Sequence, residues 1–392
     1  MKDTLYIAYK YIVFHKLKTS ILVACITIIL FLPIALNSLL KESEKQFLSR
    51  AEATPLLLGA KGSSLDLCMN SLYFDDEIPE FITLKAKEEV DQTGFANAIP
   101  LYTRFKARDF PVIGTTLDYF SHRELSLQNG RNFAMLGECV IGSKVAEELG
   151  LSVGQHLVTA SESFFDLAGV YPLKMKIVGV LTPSYSPDDL GVFVDLKTCW
   201  IIQGLGHGHQ DVSKLSDPTL VYKQNDSVVS ATAKLIQYNE INEDNIESFH
   251  FHGSLDAYPI TALVIFPESA KSGALLQGRY VADQSGFQLI KPTLVIDGLL
   301  QNIFKISKVI DGVIIIVSLA TILAMFLIFS LSFRLRAKEV ETTFKLGCQK
   351  GTMLKFLLAE VVIISGLSIF VCAILYSVFN LYQNDLIRLL YF

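Results

Sequence analysis

One uncharged run near the N-terminus constrains this chain more than any other feature. Residues 20–40 read SILVACITIILFLPIALNSLL and contain no charged side chain. A helix of about 20 apolar residues is long enough to cross the hydrocarbon core of a bilayer. The run is longer than the apolar part of a secretory signal peptide, and no small-x-small cleavage site ends it. It therefore predicts a transmembrane helix that is retained in the mature protein.

Two further apolar runs lie in the C-terminal part of the chain. Residues 309–333 carry no charge after Asp311, and residues 357–379 are interrupted only by Glu360. They predict a second and a third transmembrane helix. Glu360 falls near a membrane edge, where snorkelling or packing against a basic loop accounts for it better than an ion pathway does.

Basic residues beside these runs predict the orientation. Lys and Arg in short loops stay on the cytoplasmic side of a span, and they are concentrated in residues 1–19 and 334–356. Both segments are therefore predicted to be cytoplasmic. Residues 41–308 and the tail 380–392 then lie outside the cytoplasm, in a multi-pass membrane protein.

The composition is typical of membrane spans joined to a folded domain. Hydrophobic residues make up 51% of the chain, and charged residues still make up 19%. The mean hydropathy is +0.40. A formal net charge of -5 provides no general basic surface, so we expect no nucleic-acid partner.

Residues 41–308 predict a large mixed α/β extracytoplasmic domain. Short apolar runs separated by glycines indicate strands with brief helices, one of them over 143–149. Residues 183–189 predict a turn-rich connector and residues 203–218 a loop. The fold class is thus α-helical spans plus a mixed α/β domain. Three cysteines fall in this domain and allow at most one intramolecular disulfide: Cys68, Cys139 and Cys199.

Several segments, taken in order, carry a resemblance to a known family. The chain reads YIVFHKLKTSILVACITI at its start, then GTTLDYF, NGRNF, CVIGSKVAEELGLSVGQHL, KIVGVL and GVFVDL. This ordered set resembles the MacB-like permeases of ABC transporters, in the FtsX superfamily, which include the lipoprotein-releasing LolC and LolE proteins. The resemblance implies a periplasmic core domain and an inner-membrane location. It also assigns structural family positions: Gly130, Arg131, Gly142, Gly154, Gly179 and Glu360.

The segment FRLRAKEVETTFKLGCQKGTMLKFLLAE resembles the coupling segment of the same family. In the family it carries a helix that docks on the ATPase subunit, whereas the charges alone would also suit a solvated positive-inside loop. The resemblance assigns ATPase coupling to one set of residues: Arg334, Arg336, Lys338, Glu339, Lys345 and Gly347. Family members generally have four spans, and here the tail LYQNDLIRLLYF would be a shortened remnant or the end of a three-span version.

No phosphate-binding loop of the G-x-x-x-x-G-K-[ST] type occurs, and the nearest cluster, GAKGSS, lacks its spacing. We therefore expect no enzyme activity or cofactor in this chain, with ATP and Mg²⁺ on a separate subunit. The resemblance implies as partners a cytoplasmic ABC ATPase and a second permease copy, identical or paralogous. A periplasmic adaptor or a lipoprotein and the membrane lipid are further partners it suggests.

Four histidines form two closely spaced pairs, HGH and HFH: His207, His209, His250 and His252. In an extended chain, the two imidazoles of one pair lie on the same face. The two pairs could meet to hold zinc, with Asp211 or His156 in reserve. Alternatively they are polar residues of unrelated loops, because the sequence alone does not bring the pairs together.

Two other function classes compete with the permease. A membrane-anchored sensor or interaction protein could bind a ligand or zinc outside the cytoplasm, but the cytoplasmic segments are too short for an output domain. A membrane-tethered hydrolase would need a motif such as HExxH or GxSxG, and neither occurs. The favoured prediction is a permease that exports or extracts an envelope cargo such as a lipoprotein or peptide.

Overall fold

The chain forms two compact units. The sheet unit comprises Phe47–Asp297, and the helical unit comprises Met1–Gln46 together with Gly298–Tyr391. The computed structural model describes residues 2–160, 172–208, 221–225, 228–231, 239–282, 286–335, 345 and 350–391.

One mixed sheet organises the sheet unit. The strands of this unit are β1 (Leu56–Ala60), β2 (Ile82–Thr83), β3 (Ala96–Ala107), β4 (Phe110–Thr115), β5 (Leu127–Gly130), β6 (Glu138–Ile141), β7 (His156–Val158), β8 (Lys174–Leu181), β9 (Val192–Asp195), β10 (Gly206–Gly208), β11 (Val221–Asn225), β12 (Val228–Ala231), β13 (Phe249–Phe251), β14 (Pro259–Ile260), β15 (Ala262–Pro267) and β16 (Phe287–Ile290). The main sheet has the order β16-β1-β15-β3-β4-β9-β6-β8-β5, and β7 pairs with β8. Its pairs are antiparallel except β4 with β9 and β6 with β8. Three two-stranded sheets are formed by β10 with β13, β11 with β12, and β2 with β14.

Short helices join these strands. They are α3 (Ser64–Tyr73), α4 (Lys85–Asp91), α5 (Leu117–His122), α6 (Ser143–Leu149), α7 (Leu196–Ile202) and α8 (Ala270–Ala282). The predicted helix over 143–149 is confirmed as α6. A 3-10 turn, Pro187–Leu190, lies in the predicted turn-rich connector. The mixed α/β class predicted for this part of the chain is likewise confirmed.

The core has two apolar clusters because the central strands bury both faces. In β1, Leu56 and Leu58 belong to one cluster and Leu57 belongs to the other. Successive side chains of a strand point to opposite faces, so an unbroken apolar run predicts a strand that is covered on both sides. Trp200, the single tryptophan of the chain, is 1% exposed in the first cluster. Its fluorescence is therefore a natural probe of the folded state of the sheet unit.

One of the sequence predictions for this unit differs from the structure. Residues 203–218, predicted as a loop, include the short strand β10 at 206–208, and residues 209–218 lie outside the described part of the chain. A strand of three residues flanked by glycine gives little periodic signal. The cysteines Cys68, Cys139 and Cys199 are all buried and free, so the allowed disulfide is not formed.

The helical unit contains α1 (Lys2–Phe14), α10 (Lys350–Tyr391) and most of α2 (Lys16–Glu52) and α9 (Pro292–Leu335). Within it, α1 packs against α10. Ile12, Leu22 and Ile364 form a small buried cluster. The Thr27 hydroxyl donates a hydrogen bond to the Ser368 carbonyl oxygen (3.3 Å), which links α2 to α10.

Two helices in the described part of the chain are long and apolar enough to cross a membrane, Lys16–Glu52 and Leu358–Gln383. The sequence predicts three spans. The predicted span that is not among them, 309–333, lies within α9. There the apolar stretch Gly312–Ala324 is shorter than a span, and it adjoins residues whose side chains the structure does not describe. Helices α2 and α9 also extend beyond the predicted spans, to Glu52 and from Pro292, because Lys-, Glu- and Gln-containing sequences favour helix without being apolar.

Candidate functional site

The Asn-Gly-Arg motif predicted as structural forms a close contact between β5 and β8. Gly130 lies opposite Gly179 and has φ of +84°. A Cβ atom at Gly130 would lie 2.1 Å from the Val178 carbonyl oxygen. The Arg131 amide donates to that same oxygen at 2.9 Å. The backbone path thus requires glycine both for its conformation and for its space.

Arg131, the next residue of the motif, forms a two-pronged ion pair with Glu138. Its Nη1 and Nη2 atoms lie 2.7 and 2.5 Å from the two carboxylate oxygens of Glu138. The amides of Ala134 and Met135 also donate to Glu138 Oε2, at 2.9 and 3.1 Å. Glu138 therefore closes the 131–138 loop from the first residue of β6. Arg131 was predicted as a family position, but no local pattern in the sequence indicates its acidic partner.

The charge on Glu138 is expected to stabilise this loop. Burial would raise the pKa of Glu138, but the Arg131 hydrogen bond and the two amides outweigh it and hold the pKa below its ordinary value. At neutral pH, Glu138→Gln should therefore lower the free energy of unfolding by about 1.5 to 3 kcal/mol, the range for hydrogen bonds to a charged group. Denaturant titration followed by Trp200 fluorescence measures this difference.

The pH dependence of the same variant has a defined sign. A lowered pKa gives stability that is complete above the unfolded-state value, about 4.3, and is lost as the pH falls through the folded-state pKa. The wild type and Glu138→Gln should therefore converge in acid. A difference that stays constant from neutral to strongly acidic pH would contradict the role of the charge.

A buried ion pair connects the last turn of α2 to the 3-10 turn. The Arg50 guanidinium contacts both carboxylate oxygens of Asp188, with N to O distances of 2.5 and 3.0 Å. Arg50 Nη2 also donates to the Tyr119 hydroxyl (2.9 Å), which donates in turn to Asp188 (2.7 Å). Arg50 Nε further donates to the Leu72 carbonyl oxygen. Both charged side chains are almost fully buried.

The surroundings keep Asp188 ionised. Burial opposes the charge, but Arg50, Arg123 and the Tyr119 hydroxyl outweigh burial and lower the pKa of Asp188. This cluster was not predicted from the sequence. The one available signal was the pair of adjacent aspartates at the end of the turn-rich connector, and it does not indicate which arginine lies opposite.

Gly142 holds the same turn in place. Its amide donates to the Gly191 carbonyl oxygen at 2.8 Å. A Cβ atom there would lie 2.2 Å from the carbonyl oxygen of Asp189. At the family position Gly142, the start of α6 thus lies close to the turn that carries Asp188. Gly154, another family position, has φ of +93° and open space where a Cβ atom would lie.

Glu360 lies inside the helical unit and is 4% exposed. Its Oε1 atom lies 3.1 Å from Lys18 Nζ, at the start of α2. Glu360 pairs with a basic segment, as expected. The segment is the one before the first predicted span, to which Lys18 belongs. Of the two expected arrangements, snorkelling and packing against a basic loop, the buried position beside Lys18 resembles the second.

Most of the predicted coupling residues lie outside the part of the chain that the structure describes. Arg334 is exposed at the end of α9, and Lys345 is exposed and helical. The others in that set lie outside the described residues: Arg336, Lys338, Glu339 and Gly347. Their role in coupling remains a prediction.

Three of the four predicted metal-binding histidines come together. His207 in β10 is directly opposite His250 in β13, and His252 is two residues further along. The three rings have centroids 4.8 to 5.1 Å apart. One ligand atom from each side chain can be chosen such that all three lie within 4.8 Å of one another. His209 and Asp211 lie outside the described residues, and His156 instead contacts Glu240 at 3.1 Å.

The described residues define a class of protein, a chain that combines two helices long and apolar enough to cross a membrane with a large mixed-sheet unit. The chain belongs to the MacB-like permease family of ABC transporters, since the model of the MacB-like periplasmic core domain matches residues 19–238. No curated protein matches it.

Solved structures give distant matches. The extracellular domain of the ABC-type transporter YknZ from Gram-positive bacteria has 14% identity and a TM-score of 0.31, over 60% of this chain and 98% of that domain. The periplasmic region of MacB from Actinobacillus actinomycetemcomitans has 9% identity and a TM-score of 0.34, over 66% of this chain and 97% of that region.

Proposed function

We propose that this chain is the permease subunit of a MacB-type ABC transporter. It would transmit motion driven by ATP from a cytoplasmic ATPase to the sheet unit on the other side of the inner membrane. The observation that carries the proposal is the family match, which covers most of the sheet unit and the first predicted span. The absence of a phosphate-binding loop from the sequence supports placing ATP hydrolysis on a separate subunit.

The exposed apolar surface of α9 supports membrane insertion of the second predicted span, residues 309–333. Six large apolar side chains of this run are between 60% and 68% exposed: Ile315, Ile316, Leu319, Leu323, Phe326 and Leu327. A row of this kind needs lipid or another apolar helix to cover it. We therefore retain three spans, with a second permease copy and membrane lipid as the covering partners.

Two features support transmission of motion. Helix α2 is unbroken from Lys16 to Glu52, and its last turn is fixed by the buried Arg50–Asp188 pair. A helix end held by this buried contact would pass its displacement on to the turn, as mechanical coupling requires. The cargo we infer is a lipoprotein, peptide or similar envelope molecule that is exported or extracted, with an adaptor or lipoprotein as a periplasmic partner.

Affinity purification tests the proposal. We expect the tagged full chain, isolated from its native host in mild detergent, to bring with it an ABC ATPase that mass spectrometry identifies. A variant with Glu339→Lys and Gly347→Val should recover at least about tenfold less ATPase, because loss of a central interface contact costs more than 1.4 kcal/mol.

A charge-matched control separates coupling from general damage. Glu77 is exposed in the sheet unit, so Glu77→Lys should recover the ATPase as the wild type does. Unchanged Trp200 emission in each variant would show that the sheet unit is folded. If the wild type recovers no ATPase, the permease proposal fails, and a membrane-anchored ligand-binding protein becomes the better account.

A further inference from the structure

The β10–β13 pair places three imidazoles on one face. Gly206 and Gly208 lie opposite Phe251 and Phe249, and a Cβ atom at either glycine would lie 2.5 to 2.7 Å from the facing ring. The phenylalanine rings therefore cover the glycines on the inner face. Because side chains alternate along a strand, His207 and His250 project together from the other face. The ring of His252, the residue after β13, lies beside them.

The inner face of this strand pair is anchored in the core. Phe249 and Phe251 pack against the first apolar cluster. The Trp200 ring lies 6.3 Å from the Phe251 ring and 4.9 Å from the Tyr258 ring, between centroids. The three imidazoles thus stand on a firmly packed base, although they face solvent themselves.

Polar contacts orient two of the histidines. His250 Nδ1 lies 3.0 Å from the Ser248 carbonyl oxygen, so Nδ1 carries the proton and Nε2 presents a lone pair. Such a bond from the second ring nitrogen is a usual support of metal-bound histidine. The backbone of His252 is fixed by the Tyr258 hydroxyl, which accepts from the His252 amide at 3.0 Å and donates to its carbonyl oxygen at 2.9 Å.

We propose that His207, His250 and His252 form a binding site for one zinc ion. Zinc bonds to histidine nitrogen at about 2.0 to 2.1 Å in a tetrahedron, which places the nitrogens roughly 3.3 Å apart. The ligand atoms here are within 4.8 Å of one another, and two of the three side chains are exposed. Rotation of exposed imidazoles closes that difference.

The ligand set selects the class of metal. Three neutral nitrogens suit zinc and its neighbours in the first transition row, whereas magnesium and calcium require oxygen ligands. With three protein ligands, zinc keeps a fourth position for water or another ligand. The exposure of His250 and His252 leaves that position accessible, which suits an exchangeable ion. The bound ion would also link β10 to β13.

Metal titration of the full chain tests the site. The chain is purified in detergent with a tag that lacks histidine, stripped with a chelator, and titrated with Zn²⁺ at neutral pH by calorimetry. We expect saturation at one equivalent. His250→Gln and His252→Gln should each weaken binding at least about tenfold, since even loss of an outer-shell partner costs 10- to 100-fold. Cu²⁺ bound at the site should quench Trp200 fluorescence, since the indole packs against the base of this strand pair. The quenching should weaken in the same two variants that weaken Zn²⁺ binding.

A matched histidine controls for surface binding. His122 is exposed, stacks on Phe266 and lies outside the cluster. His122→Gln should bind Zn²⁺ as the wild type does. The proposal is overturned if the wild type shows no one-equivalent saturation, or if the His250→Gln/His252→Gln double variant keeps wild-type affinity with unchanged Trp200 emission. Either result leaves the ATPase experiment untouched, because that experiment depends on the cytoplasmic segment.

Discussion

Arg50→Ala is expected to lower the free energy of unfolding of the sheet unit by about 3 to 5 kcal/mol, the range for removing one partner of a buried ion pair. The substitution leaves the Asp188 carboxylate buried beside Tyr119 without its guanidinium. It also removes the donor to the Leu72 carbonyl oxygen. Guanidinium denaturation of the detergent-solubilised chain, followed by Trp200 fluorescence, measures the change.

Two comparisons make the Arg50 prediction specific. Lys106 and Asp76 form a 2.7 Å ion pair with exposed side chains, and Lys106→Ala should cost less than about 1 kcal/mol. The double variant Arg50→Met/Asp188→Leu should lose less stability than the sum of its single substitutions, because it leaves no unpaired buried charge. Equal effects of Arg50→Ala and Lys106→Ala would show that the buried pair is not an anchor.

The pair also bears on the proposed transmission of motion. Arg50 lies in the last turn of α2, where a positive charge suits the carbonyl end of the helix dipole. Its partner Asp188 belongs to a 3-10 turn that Gly142 and Ser186 hold in place. A movement of the helix end would therefore be passed to this turn through a rigid contact.

The sequence predicts those parts of the fold that follow from local patterns. The 20–40 run predicts helix because no charge interrupts it, and 143–149 predicts α6 because its apolar residues recur at helical spacing. Helix ends are harder to predict. Residues 41–52 are mostly polar, so hydropathy ends the span at Leu40, while backbone hydrogen bonding carries the helix to Glu52.

The candidate sites likewise separate into contacts that local patterns predict and contacts that depend on tertiary structure. The HFH pair predicts two imidazoles on one face from strand periodicity alone, and the structure agrees for His250 and His252. The addition of His207 depends on the β10–β13 register, which joins residues far apart in the chain. The Arg50–Asp188 pair depends on a still longer separation, and no local pattern encodes it. The family resemblance predicted that Gly130 and Arg131 have a structural role, but the contacts that explain this role are visible only in the tertiary structure.

Gly130→Ala is expected to be the most damaging of the conservative glycine substitutions, with a loss of about 2 to 5 kcal/mol in the free energy of unfolding. The positive φ of Gly130 costs an L-residue about 1 to 2 kcal/mol. The Cβ atom would also lie 2.1 Å from the Val178 carbonyl oxygen, a backbone atom that cannot rotate away. Overpacking of this kind adds about 1 to 3 kcal/mol. Denaturation followed by Trp200 fluorescence again gives the value.

Gly154→Ala separates the two causes, because Gly154 shares the positive φ but has nothing within 4 Å of a Cβ atom. It should therefore cost only the conformational part, about 1 to 2 kcal/mol. The difference between the two variants measures the close approach of β5 to β8, to which the Arg131 amide bond to Val178 also contributes. If Gly130→Ala were no worse than Gly154→Ala, the strands would separate easily at this point. The Arg131–Glu138 pair could not then hold the 131–138 loop in register, so Glu138→Gln should in that case have little effect on stability.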